Sequence, residues 1–150
     1  MSLLKPPPTA MVIVCRIGSR FVALPLHTVV HTARLGELTP PGDAPAVVCG
    51  IVSLQGTTVP VIDGRSLLGE PPAYDLDSHI LLVTTDDDQS PEIGLLVDEV
   101  ISLHRVGADG LSPLTHIDGF SCGVVNDLPQ PALLLDVDEL FAIAHGSTRD

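Results

Sequence analysis

Two imidazoles four residues apart, His27 and His31 in the stretch HTVVH, are the first groups in this chain that could do chemistry. On a helix that spacing brings both rings to one face, where they could hold a metal ion. The Thr-Val-Val between them instead favours a strand, in which residues four apart are separated by roughly 13 Å. No Glu follows His27 to serve as a general base. The tripeptide Ile-Asp-Gly occurs twice, around Asp63 and Asp118, and paired loops of this kind can bring two carboxylates together to share one proton. Neither copy has the hydroxyl residue between Asp and Gly that such dyads carry. Asp98, Glu99 and Asp136 lie beside apolar runs, where turns and helix caps can employ them.

Other constellations are equally incomplete. Ser53 and Ser121 are not set in a G-x-S-x-G elbow, and no glycine-rich phosphate loop is present. The acidic stretch DDDQSPE lacks the Gly and terminal Glu of a calcium loop and reads as a solvated turn. Cys15, Cys49 and Cys122 are widely spaced among apolar residues and glycines, so they are expected to be reduced thiols used as small apolar side chains. The expectation is a protein with no catalytic residue, no metal and no cofactor. A small metal-dependent hydrolase remains as an alternative to be tested by metal content.

Without a reaction to position, the elements themselves carry the information. Residues 1–10, with Pro6-Pro7-Pro8, read as a flexible N-terminal tail. MVIVCRI (11–17) and FVALPL (21–26) form a hairpin about Gly18-Ser19-Arg20, and TVVHTARL (28–35) makes a further strand. Asp43 is placed to cap a short helical turn over APAVV. GIVSLQGTTVPVID (50–63) is a second hairpin, in which Pro60 requires an edge position or a bulge because it has no N–H. GRSLLG (64–69) suits a helical turn and 70–78 a surface loop.

HILLVTT (79–85) and one long strand over 92–106 are expected to pair across the acidic turn 86–91. A loop leads to FSCGVVND (120–127), then PALLLDV (131–137), then a last helix through DELFAIAH capped by Asp136 or Asp138. One internal echo stands out: ALPLHTVV (23–30) and GLLVDEVI (94–101) share their order of apolar and polar residues.

The chain has 150 residues, of which 45% are hydrophobic and 3% aromatic, with mean hydropathy +0.39. A core of Val, Leu, Ile and Ala is therefore available. Gly and Pro number 13 and 14, which suits many short strands joined by turns rather than low complexity. Seven basic against 19 acidic residues give a net charge of −12, which repels a phosphate backbone and argues against nucleic-acid binding. No apolar run approaches the ~18 residues of a membrane span. MSLLKPPPTAM places prolines where an export signal has its apolar core, so the expected location is the cytoplasm.

Five blocks in order make the chain resemble the CheW-like adaptor domain of bacterial chemosensory systems. They are VCRIGSRFVALPL, LTPPGDAPAVVCG, GIVSLQGTTVPVIDGRSLLG, IGLLVDEVISL and LLLDVDELF. Gly50, Leu54, Gly56, Pro60 and Asp63 fall on the family's Gly-Val-x-Asn-Leu-Arg-Gly-x-x-x-Pro-x-x-Asp stretch. Gly94, Val97, Asp98 and Val100 match a second run.

The resemblance implies an all-β fold of two intertwined five-stranded Src-homology-3-like barrels with short helical turns and a short C-terminal helix. It places the domain at 11–145, followed by a disordered end over 146–150. It also implies a non-catalytic adaptor, coupling a chemoreceptor's cytoplasmic helical tip to the regulatory domain of a CheA-type histidine kinase, with room for weak self-association in arrays. By resemblance, Val29, His31, Gly50, Leu54, Gln55, Gly56 and Leu103 meet a partner, with Val29 expected to be exposed. Asp63 and Asp98 are expected to fix turns.

Three positions depart from the family. Gln55 stands where it has Arg, His31 where an acid is common, and Gly64 where Leu follows the Asp. Exchanging a guanidinium fork for a neutral amide removes a charge-assisted bond of about 1.5–3 kcal/mol. These departures leave open a divergent protein-binding module of another pathway, such as pilus or gliding motility, or one uncoupled from a kinase.

Overall fold

A computed structural model describes residues 11–54, 56–73, 78–85, 90–114 and 119–146. The tail 1–10, Gln55, most of the acidic turn, Asp118 and residues 147–150 lie outside them.

Strands β1 (Met11–Ile17) and β2 (Arg20–Pro25) form the expected hairpin, closed by Gly18 at φ 61°, a conformation cheap only for glycine. The chain then turns through one 3₁₀ turn, Leu26–Thr28, where the Thr28 hydroxyl donates to the Pro25 carbonyl at 2.7 Å. That turn delivers β3 (Val29–Arg34) into a different sheet. There β4 (Val48–Leu54), β5 (Thr57–Asp63), β6 (His79–Val83) and β7 (Ile93–Val97) complete a five-stranded sheet of order β3-β6-β7-β5-β4. Helix α1 (Gly64–Leu67) follows β5.

The chain returns to the first sheet with β8 (Glu99–Arg105), β9 (Leu111–Pro113), β10 (Ser121–Val125) and β11 (Ala132–Leu135). That sheet has six strands in the order β8-β1-β2-β11-β10-β9. Helix α2 (Val137–Ala144) leaves the first sheet and packs back on β5 and β7 of the second.

Three apolar clusters explain why the central strands, among them β1, β6 and β7, are buried on both faces. Val12, Val14, Ala23, Val125, Ala132 and Leu134 fill one barrel. Ala33, Val52, Val59, Val61, Ile80 and Leu82 fill the other. The alternate residues of the same strands, among them Ile13, Leu24, Leu81, Val83, Ile93 and Leu95, form a third core between the barrels. Period-2 alternation sends successive side chains of these central strands inward and across to the neighbouring barrel in turn. An antiparallel strand facing water on one side would instead alternate apolar with polar residues.

Pro60 sits opposite Ile51 on β4. Ile51 exchanges its backbone bonds with Thr39 on the other side (2.8 and 2.9 Å), so the ladder asks Pro60 for no donor. The pairing of β5 with β7 begins only at Val61, leaving the flank of Pro60 open. The same Thr39 contact covers the β4 edge of the second barrel.

Three local expectations are corrected. The run 92–106 is not one strand: it breaks at Asp98, and its halves belong to different sheets. Residues 44–47 form no helix; Val48 donates to the Pro45 carbonyl at 2.9 Å in a simple turn, and β4 starts there. The loop after β8 contains a strand, β9, which gives the first sheet its sixth member. The echo between 23–30 and 94–101 has a structural basis, because the chain crosses between barrels within both segments.

Candidate functional site

Residues paired across neighbouring strands share a face, so the register of each sheet defines rows of side chains. In the first sheet one row runs Leu24–Ile13–Leu103, across β2, β1 and β8. Exposure climbs along it from 0% to 8% to 56%. Leu24 and Ile13 belong to the core between the barrels, so Leu103 is where that core reaches solvent. In the second sheet the matching row is Ile93–Val83–Val29, with the first two wholly buried and Val29 half-buried at the edge. Leu26 also packs on this core, and its 3₁₀ turn, which joins the two rows, touches β1. Ile101, the extra residue of a bulge opposite Val14 and Cys15, is a further large apolar side chain turned to solvent.

The remaining candidates divide. His31 is exposed on β3, opposite Leu82. His27 lies in the preceding 3₁₀ turn, so the two imidazoles do not share a helical face. Leu54 is half-buried on the core of the second barrel. Gln55 lies outside the described residues. Gly56 is exposed at φ 83° with nothing near it, as a hairpin tip requires. Gly50 is buried, and the backbone that approaches it is the chain's own: a Cβ there would stand 2.6 Å from the Thr39 carbonyl oxygen and 2.5 Å from Leu38. Val29 is half-buried against the core rather than freely exposed.

The two aspartates hold corners. Asp63 caps α1, accepting from the Arg65 backbone N–H at 3.0 Å and the Ser66 hydroxyl at 3.2 Å. Asp98, 5% exposed, occupies the second crossing between barrels. It accepts from the Gly18 backbone N–H and from Arg65 Nε, while its own N–H donates to the Arg16 carbonyl at 2.9 Å. Through its carboxylate and its backbone N–H, this one residue ties β1, the β1–β2 turn, α1 and the crossing together. Gly64 is explained by the same junction, since a Cβ there would lie 2.5 Å from the Leu96 carbonyl oxygen.

Chemistry elsewhere is sparse. Burial pushes the Cys15 thiol up to about 12, and burial followed by the nearby Asp136 carboxylate raises Cys122 to about 11, so neither is a nucleophile near neutral pH. Among the described residues no three of His, Cys, Asp and Glu gather as a metal site. Asp127 accepts from the Gly107 N–H at 2.9 Å and contacts His104 Nε2 at 2.7 Å. Those bonds, the first of them foremost, hold its carboxyl below the usual range. An open hollow of about 500 Å³ beside β2 and β11 is lined by Arg20, Phe21 and Leu133 without a carboxylate or nucleophilic pair.

Sequence reasoning named Leu103, which lies at this exposed end of the row, but not Ile101, Ile13 or Arg65. Ile101 was within reach, because it alternates with Leu103 along β8. Arg65 was not, because its partner Asp98 is 33 residues away.

Comparisons with known proteins bear on the family and the fold. The model of the CheW-like domain matches residues 11–145. The chemotaxis protein CheW of Rhizobium meliloti (strain 1021) is 27% identical over 131 residues, covering 84% of this chain and 83% of the relative. A probable chemotaxis protein CheW of Rhizobium etli is 25% identical over 132 residues, covering 85% and 84%. The crystal structure of the scaffolding protein TtCheW from Thermoanaerobacter tengcongensis superposes with TM-score 0.74 at 22% identity, over 85% of this chain and 89% of that one.

Proposed function

The chain belongs to the CheW-like domain family, and from that premise we propose that it is a non-catalytic cytoplasmic adaptor. It couples the helical tip of a chemoreceptor to the regulatory domain of a CheA-type histidine kinase in chemotaxis-type signalling. The observation that carries the reading is the row Leu24–Ile13–Leu103, an apolar core that opens to solvent at one edge between two barrels. An amphipathic helix laid along such an opening buries its apolar face without requiring any reacting group. Leu103, Ile101 and the edge of Val29 supply the contact, and the exposed His31 lies beside it on β3. Asp98 and Asp63 keep the barrels in register rather than touching a partner. The family domain is taken as 11–145.

The relatives' names support a chemotaxis setting; the kinase arm rests on the family resemblance of the hairpin Gly50 to Asp63, with Gly56 at its tip. Titration of the purified chain against a receptor-tip fragment and against a CheA-type regulatory domain tests both arms. Saturable binding to each is expected, and failure of either removes that arm.

A second reading rests on Gln55, where the family carries Arg. On that reading the module serves a different chemosensory pathway, such as pilus or gliding motility, or has lost its hold on the kinase. Q55R separates the two: it strengthens kinase binding by roughly ten- to hundredfold if that contact is used, and leaves it unchanged otherwise.

A further inference from the structure

β8 is an edge strand, paired with β1 on one side and with no described strand on the other. Ile101 and Leu103 expose 43% and 56% of their surface on it. Proteins usually cover such edges with charge, proline or a loop. A segment of this chain able to do so joins the barrel beside them. β1 begins at Met11, which lies opposite Arg105 as Ile13 lies opposite Leu103. Residues two apart on a strand share a face, so Met11 and Leu103 stand on the same face of the sheet. Leu103 is thus about 7 Å along and about 5 Å across from the point where residues 1–10 enter β1, or about 8 Å away.

Those ten residues, MSLLKPPPTA, lie outside the described part of the structure, and their sequence has the parts of a cover. Leu3 and Leu4 are adjacent large apolar side chains. Lys5 is the only charged side chain among the ten, positive in a chain of net charge −12, so charge does not oppose its return. Between the leucines and Met11 stand Pro6, Pro7 and Pro8, then Thr9 and Ala10. Three prolines favour the polyproline II helix and span about 9 Å, close to the separation of Met11 from Leu103. A reversal at Thr9-Ala10 therefore brings Leu3 and Leu4 to Leu103 and Ile101. The covalent tie also holds them at an effective concentration on the order of millimolar, which a separate molecule at micromolar concentration does not match.

We propose that residues 1–10 fold back as a strap whose Leu3 and Leu4 cover Leu103 and Ile101 in the free protein. Burial of four apolar side chains drives the closure, and the triproline sets its length. Strap and receptor helix compete for Leu103, so docking has to displace the strap; that consequence rests on the function proposed above, and the strap itself does not.

Methyl NMR of the full chain tests it directly. The expected result is through-space contact from the methyls of Leu3 or Leu4 to those of Leu103 and Ile101, unchanged on dilution. L3D/L4D abolishes those contacts and shifts the Leu103 and Ile101 signals, and P6G/P7G/P8G, which loosens the spacer, weakens them. L3D/L4D also tightens binding of a receptor-tip fragment by about threefold or more, as expected when at least about two-thirds of the molecules are covered. Leu103 and Ile101 signals indifferent to L3D/L4D overturn the proposal, as do contacts found only between differently labelled copies. A receptor fragment that binds neither form removes the adaptor reading instead, and the methyl contacts decide the strap without it.

Discussion

Arg65 Nε lies 3.2 and 3.1 Å from the two carboxylate oxygens of Asp98, across 33 residues of sequence. Asp98 is nearly buried, whereas Arg65 keeps about a quarter of its side chain in solvent. A buried pair of this kind adds little net stability by itself, but removing one partner strands the other. D98A also orphans the Gly18 N–H. The expected loss is about 2–4 kcal/mol, read as a lower urea midpoint with unchanged slope. A double-mutant cycle with R65A should show coupling; strict additivity would mean that the two residues act separately.

Gly56 has φ 83°, a region in which a β-branched side chain is strained. G56V should cost about 1–2 kcal/mol, and G56N noticeably less, because Asn tolerates this conformation. Thermal unfolding of both variants checks the difference. Equal losses would show that side-chain bulk, rather than backbone conformation, governs the tip.

The buried thiols give a reactivity prediction. With Cys15 raised to about 12 and Cys122 to about 11, alkylation at pH 8 should spare both in the native protein and label both after unfolding. Peptide mass mapping reads the outcome. Rapid native labelling of Cys15 would contradict its place in the inter-barrel core.

Asp127 supplies a pH dependence. Its carboxyl is held below the ordinary 3.8, first by the Gly107 N–H and then by His104. A group depressed on folding stabilises the fold above its unfolded value, and that contribution is lost as the pH falls through its folded value. Stability should therefore decline below about pH 3.8 more steeply in the native chain than in D127N. Unfolding midpoints between pH 5 and pH 2 test this, and parallel curves would contradict it.

The patterns that depend on neighbours in sequence were legible. Gly18-Ser19 announced the first hairpin, and Asp136 was one of two candidate caps for a last helix that forms. Asp63 was expected only to fix a turn, and Pro60 to need an edge or a bulge, whereas β5 is an interior strand whose pairing with β7 starts just past Pro60. The apolar runs also declared strands, but not which barrel each face serves. Nothing in IGLLVDEVISLHRV distinguishes one strand from two joined at a corner. What turns the chain at Asp98 is its set of bonds to Gly18 and Arg65, and no local pattern encodes those. The burial of Gly50 has the same origin, because the segment packed on it, Leu38–Thr39, is held by the bridge from Thr39 to Ile51. At the site, Leu103 could be placed by resemblance, whereas the half-burial of Val29 followed only from its row with Val83 and Ile93.

That difference decides the most direct test of the proposed receptor-docking cleft. V29E would disturb the core and binding together, whereas Leu103, 56% exposed, allows the two effects to be separated. The affinity of L103K for a receptor-tip fragment should be measured beside its thermal midpoint. A docking cleft at Leu103 requires affinity to fall by at least about tenfold, as expected when a charge enters an apolar contact, while the midpoint stays close to that of the unmodified chain. Unchanged affinity in a folded L103K would contradict it.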